Sequence, residues 1–234
     1  MDRTEHIEGL GSILVRRSPR AKHYLLKLVG RQIVAVMPAN GSEAQLLDLV
    51  ARNREKLRRA LDEKPADDDR LDESTTLQTL TFRLHIFRTA RAGFYTTLHD
   101  GMLHIACPDA TSFDDRHVQQ LLRQMLKKAL RREAARILPP RLAELAARHE
   151  FHYTDVKIRD TKTRWGSCSS RRVVNLSLSL LLLPPHLIDY VLLHELCHTV
   201  EMNHGARFHQ LMDRVTDNRS EALRRELKTF ATGR

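Results

Sequence analysis

The sequence predicts an α+β fold on three observations. The first ~110 residues are strand-rich, with short apolar runs divided by turn residues and with one helix among them. Residues 112–150 switch to helical periodicity. Beyond 150, two short strands lead into an apolar helix that carries His194-Glu195-Leu196-Cys197-His198. The change of periodicity divides the chain into a strand-rich N-terminal region, 1–110, and a helical segment leading into a second domain, 111–234. The acidic, proline-bearing run 62–73 reads as a solvated linker and is the best internal boundary in composition.

Taken in order, residues 1–11 are polar with two glycines and read as mobile. The basic run Arg16-Arg17-Ser18-Pro19-Arg20-Ala21-Lys22 is either a solvated loop or an arm that contacts phosphate. Residues 24–29 and 32–37, joined by Gly30-Arg31, form a hairpin pattern. Ser42 and Gln45 fit a capping box for a helix to about Ala60, with Leu46, Leu49, Val50 and Leu57 as its apolar stripe. Residues 77–87 alternate as a strand, and Asp100-Gly101 joins 95–99 to 102–106 as a second hairpin. Thr111 or Ser112 caps the next helix, which Pro139-Pro140 ends at about Leu138; another follows to about His149. Residues 152–159 and 173–178 read as strands, the latter either interior to a sheet or an edge open to an extended substrate. Helices over 206–215 and 220–230 close the chain.

Composition narrows the function. A hydrophobic content of 41% with 29% charged residues describes a globular chain, and the net charge of +10 either invites anionic partners or serves solubility. Between Arg116 and Arg148 nine Lys/Arg face two Glu, and Arg123, Lys127 and Arg131 make a ridge. That ridge is a solvated helix face or a contact for nucleic acid or nucleotide. Cys107, Cys168 and Cys197 are odd in number and widely spaced, which argues against a disulfide framework and for the cytoplasm. The start is polar and no run approaches eighteen apolar residues, so neither a signal sequence nor a membrane partner is expected.

The motif helix carries the chemistry. His194 and His198, four apart, project from one face, within reach of a single tetrahedral Zn²⁺. Glu195 would stand beside the metal as a base for its water. If the helix ends after His198, a turn at Asn203 and Gly205 brings His204 back as a third ligand. The competing reading is a partly buried helix with ordinary hydrogen-bonded histidines. Arg164, His209 and Tyr190 are candidates to stabilise the transition state, and Trp165 is either core or a substrate platform. Gly166 marks a close backbone approach. Asp189 falls off the ligand face and reads as a structural cap or a hydrogen-bond acceptor; Cys168 reads as a small buried thiol or a soft ligand to zinc, and Cys197 as core. The chemistry expected is metal-assisted hydrolysis of a peptide bond in a peptide or protein substrate, with Glu195 as general base. Hydrolysis of a nucleotide phosphoanhydride is the alternative, against which no Gly-rich phosphate loop is visible; a basic nucleic-acid-associated zinc protein is another.

Two spaced motifs carry a resemblance. Arg164-Trp165-Gly166-Ser167-Cys168-Ser169, Asn175-Leu176, Pro184, Asp189-Tyr190-Val191, His194-Glu195-Leu196-Cys197-His198 and Asn203-His204 with Phe208 resemble the YgjP-like metallopeptidase domain family, relatives of the SprT-like zinc proteases among the zincins. The resemblance implies a zincin-like metallopeptidase domain, its motif helix packed on a small antiparallel sheet, with Zn²⁺ on His194, His198 and His204 and Glu195 catalytic. The chain departs from that pattern at His209, where relatives often carry Trp, and in Arg54–Arg58, which lacks their aromatic residue.

Overall fold

The computed structural model describes residues 2–19, 21–29, 32–62, 70–161 and 163–230. The chain divides into two compact units, Met1–Asp69 and Arg70–Arg234. The second unit therefore takes in the strands between 83 and 108, which the sequence periodicity groups with the N-terminal region.

The first unit holds β1 (Asp2–Ile7), β2 (Gly11–Ser18), β3 (Leu25–Val29), β4 (Gln32–Pro38), α1 (Glu43–Arg52) and α2 (Arg54–Asp62). Its sheet runs β1-β2-β4-β3, with β2 and β4 parallel and the other pairs antiparallel. Residues 2–11, expected to be mobile, are instead half of a hairpin. Gly9 supplies the positive φ of 76° that its turn requires, and Leu10 tucks into the core. The strand is polar because it lies at the sheet edge, so its sequence lacks an apolar signal. Of the basic run, Arg16, Arg17 and Ser18 end β2 and the described residues Pro19, Ala21 and Lys22 are loop; Arg17 donates to the carbonyls of Ala39 and Gly41 (2.9 and 3.0 Å). Arg20, the Gly30-Arg31 turn and linker positions 63–69 lie outside the described residues. The β3–β4 hairpin itself is present.

The helix expected over 42–60 is two. Asn53 interrupts it, its side-chain amide donating to the Leu49 carbonyl at 2.8 Å. Ser42 is the N-cap but makes no side-chain capping bond. The Tyr24 hydroxyl stands in, accepting from the Ser42 amide (2.7 Å) and donating to Gln45 (2.6 Å).

The second unit continues with β5 (Arg83–Thr89), β6 (Tyr95–His99), β7 (Met102–Pro108), α3 (Arg116–Arg148), β8 (Asp155–Arg159), β9 (Gly166–Cys168), β10 (Val173–Ser177), a 3₁₀ turn over Leu178–Leu182, α4 (Pro185–Cys197), α5 (Ala206–Val215) and α6 (Ser220–Leu227). The first strand begins six residues later than its alternation predicts, because the Thr79 hydroxyl captures the amides of Thr81 and Phe82 in a turn. Asp100 and Gly101 both take positive φ, 47° and 71°, as the β6–β7 turn demands.

Helix α3 corrects two expectations. Its cap is Asp115, whose carboxylate accepts from the amides of His117 and Val118, in place of Thr111 or Ser112. It also runs unbroken through Pro139 and Pro140. Each interior proline costs about 3 kcal/mol. Leu130, Ala134, Leu138, Leu142 and Leu145 form one buried stripe across both prolines, and each buried leucine returns about 1.5–3 kcal/mol. Tertiary packing outweighs the local signal. No described helix is long and apolar enough to cross a membrane.

The sheet beside α4 has the order β8-β10-β9 and is mixed, β8 lying parallel to β10 and β9 antiparallel. It was expected to be wholly antiparallel. The difference arises because β10 turns back from β9 and inserts between β9 and β8, alongside β8 in the same direction. Strand 173–177 is thus interior, paired on both sides, and the reading of it as an open edge fails. Pro185 sits in the first turn of α4, where its missing N–H costs little. Asp189 on α4 accepts both Arg141 Nε (2.8 Å) and Nη2 (2.6 Å), tying α4 to α3.

Leu142→Ala should lower stability by about 2–5 kcal/mol. Pro140→Ala, at an exposed position where it restores a backbone donor, should leave stability unchanged or raised. Denaturant titration of both variants checks this; a destabilised Pro140→Ala would show that the prolines shape the helix.

Candidate metal centre

From Tyr190 to Cys197 every residue of α4 but His194 is buried, so its last turns are held rigidly, and His194 and His198 leave it from one face. The helix ends at Cys197, and the chain turns through 198–200. The Gly205 amide donates to the Asn203 carbonyl (2.8 Å), a tight turn that points His204 back toward the helix. The three Nε2 atoms then form a triangle: 3.2 Å from His194 to His198, 3.1 Å from His198 to His204, and 3.2 Å from His204 to His194. A tetrahedron with metal–nitrogen bonds of about 2.0–2.1 Å has edges of about 3.3 Å, so the triangle is the size of one face. Among the described residues no other group of three or more His, Cys, Asp or Glu could hold a metal ion.

Two further features suit a cation. The His198 Nδ1–H donates to the Glu201 carbonyl at 3.0 Å, which leaves the Nε2 lone pair free. Glu195 is buried, and its Oε2 has no hydrogen-bond partner in the protein. A buried, unpartnered carboxylate oxygen beside three convergent imidazole nitrogens is a donor set that lacks its positive charge.

The neighbours explain how these groups are kept in place. Phe208 on α5 stacks on His198 (4.5 Å between ring centroids) and meets His194 and His204 edge-on at 4.9 and 4.7 Å. It is the common floor of the three rings. Gly166 on β9 faces Glu195: a Cβ there would lie 2.6 Å from Glu195 Oε1. Only glycine lets the strand approach so closely.

Burial governs the electrostatics. It holds His194 neutral down to about 3, helped by the adjoining His198 and His204. It likewise lowers His198. Burial pushes the Glu195 carboxyl up to about 8, and the Arg164 charge pulls in the opposite direction. Burial and the Glu195 charge raise the Cys168 thiol, and Cys168 is not part of the group of side chains that could hold a metal ion. Cys197 is buried within α4.

A cleft of about 700 Å³ opens over this group. Arg164, Trp165, Tyr190 and His209 all line it together with His194, Glu195 and His204. Trp165 both packs against the core and faces the cleft, combining the two readings of it. Arg224 and Lys228 at the end of α6 line it too and were not singled out from the sequence. Their one signal was the arginine-rich composition of the last helix. Of the basic ridge on α3, Lys127 pairs with Asp160 at 2.5 Å.

A sequence profile of the YgjP-like metallopeptidase domain matches residues 22–230. Among solved structures, the chain is similar to the metallopeptidase zymogen abylysin of Pyrococcus abyssi. The two are 19% identical with a TM-score of 0.37, over 40% of this chain and 93% of that one. The metallopeptidase zymogen jannalysin of Methanocaldococcus jannaschii gives 18% identity and a TM-score of 0.35, over 39% and 94% respectively. No curated protein matches.

The displaced carboxyl has a stability consequence in the metal-free protein. Folding raises Glu195 from 4.5 to about 8, so its contribution is complete below pH 4.5 and is lost as pH rises toward 8. His194, lowered from 6.5 to about 3, contributes above pH 6.5 and loses its share as pH falls toward 3. Chelator-treated Glu195→Gln should therefore be more stable than chelator-treated wild type at pH 8, with the gap closing toward pH 4.5. Parallel melting profiles across that range would contradict the shift.

Proposed function

The chain belongs to the YgjP-like metallopeptidase domain family, and from that premise we propose that it hydrolyses peptide bonds with Zn²⁺ on His194, His198 and His204 and with Glu195 as general base. The observation that carries this reading is the triangle of Nε2 atoms 3.1–3.2 Å apart beside the unpartnered Glu195 Oε2. Three imidazoles without a thiolate suit zinc, and three protein ligands leave a fourth position for water or substrate. When bound, the ion supplies Lewis acidity and brings the pKa of a coordinated water toward about 7.

The chain's own residues do the rest. Glu195 accepts the proton of the attacking water at Oε2 and passes it to the leaving amine. A cation nearby returns the carboxyl toward its ionised form, offsetting its burial. Gly166, by its lack of a side chain, leaves the room that Oε1 occupies. Arg164, Tyr190 and His209 line the cleft, which supports them as the groups that meet the negative charge developing on the carbonyl oxygen, with Trp165 as an apolar wall for the substrate. The free Cys107, Cys168 and Cys197 support a reducing compartment, the cytoplasm.

Glu195→Gln should lower the rate of peptide hydrolysis by roughly 10²–10⁴ while zinc content, read by mass spectrometry, stays at one per chain. His204→Ala should lose zinc. An unaffected rate in Glu195→Gln would remove it from the mechanism, and phosphate release from nucleoside triphosphates without peptide cleavage would replace the peptidase reading. Gly166→Ala, by displacing Glu195, should lose most of the activity yet retain the metal; wild-type activity there would show that the strand can yield.

A further inference from the structure

The cleft extends from the imidazoles between α4, α5 and α6. Tyr190, Val191, Met212 and Leu227 give it apolar walls, while Arg224 and Lys228, one helical turn apart, line it from α6. Arg164 adds a third permanent cation to the lining. The lining has two carboxylates. Glu195 is committed to the metal centre. Glu221 pairs with Arg224 at 3.4 Å, both side chains being more than half exposed (64% and 54%). Such a pair is weak and exchanges readily for a competing carboxylate. Glu226, on the same helix, is outside the cleft and bonds His186 at 2.8 Å. The cleft thus combines an apolar body with a cationic surplus.

We propose that this end of the cleft binds a carboxylate carried by the substrate beside the cleaved bond, with Arg224 and Lys228 as the residues that set the preference. The proposal rests on the peptidase reading and adds which peptides are taken. The apolar walls receive a methylene stem. The Arg224 guanidinium offers paired N–H donors to a carboxylate, and the Lys228 ammonium adds a point charge. A lysine or arginine in the same place meets like charge in a partly desolvated cleft and is rejected. An acidic side chain and a free peptide C-terminus share this chemistry.

The test uses the full-length, zinc-loaded protein and fluorogenic peptides that differ only in carrying Glu, Gln or Lys next to the cleaved bond. Each is made with a free and an amidated C-terminus. The expected result is a kcat/KM at least tenfold higher for Glu than for Lys in the amidated set; a requirement for the free terminus instead identifies the terminal carboxylate as the ligand. Arg224→Glu combined with Lys228→Glu should move the preference at least tenfold toward Lys with zinc content unchanged. The same labelled peptides are also titrated by anisotropy against zinc-loaded Glu195→Gln. Selective, charge-reversible binding without any cleavage by wild type would uphold the carboxylate site and overturn the peptidase reading. Equal binding and equal cleavage across the set, free and amidated, would overturn the carboxylate site alone.

Discussion

Three imidazole nitrogens within 3.2 Å of one another cannot each carry a proton's charge. At that separation two unit charges repel by about 5 kcal/mol even at an effective dielectric of about 20. The rings must therefore be neutral or share one cation, and much of the second unit follows from that constraint. Burial keeps His194 neutral down to about 3. The Glu201 carbonyl fixes the His198 tautomer. Phe208 supports all three rings at once, so that none can swing out without losing packing.

The carboxylate beside them is held by the same economy of space. Glu195 is buried at the wall of the cleft, where a strand passes too close for any side chain but hydrogen. Removing the cation leaves a buried acid that folds best when protonated. The site and the stability of its helix are consequently linked. The Arg141–Asp189 clamp carries that link onward to α3, whose buried stripe is strong enough to hold a helix across two prolines.

What was legible in the sequence was what is local. The four-residue spacing of His194 and His198, the helix end that follows them, the turn before His204 and the Asp100-Gly101 hairpin each depend on a handful of neighbouring residues. Leu138 and Leu142 hid the continuity of α3, because their burial against distant residues overrules the prolines between them. The edge strand Asp2–Ile7 carries no apolar pattern, since neither face is deeply buried. Strand 173–177 showed its two-sided pairing only once β8 and β9 were in place. Arg224 and Lys228 reach the cleft from a helix whose link to α4 has no mark in the local sequence. Phe208 came from the family resemblance; its place beneath the three rings came from the structure.

The central claim is that one cation takes its protein ligands from His194, His198 and His204. X-ray absorption at the zinc edge of the loaded protein tests it directly. The account predicts three imidazole nitrogens at about 2.0–2.1 Å, a fourth light scatterer and no sulfur, and the loss of one imidazole in His204→Ala. A sulfur shell at about 2.3 Å, or an imidazole count unchanged in that variant, would contradict it.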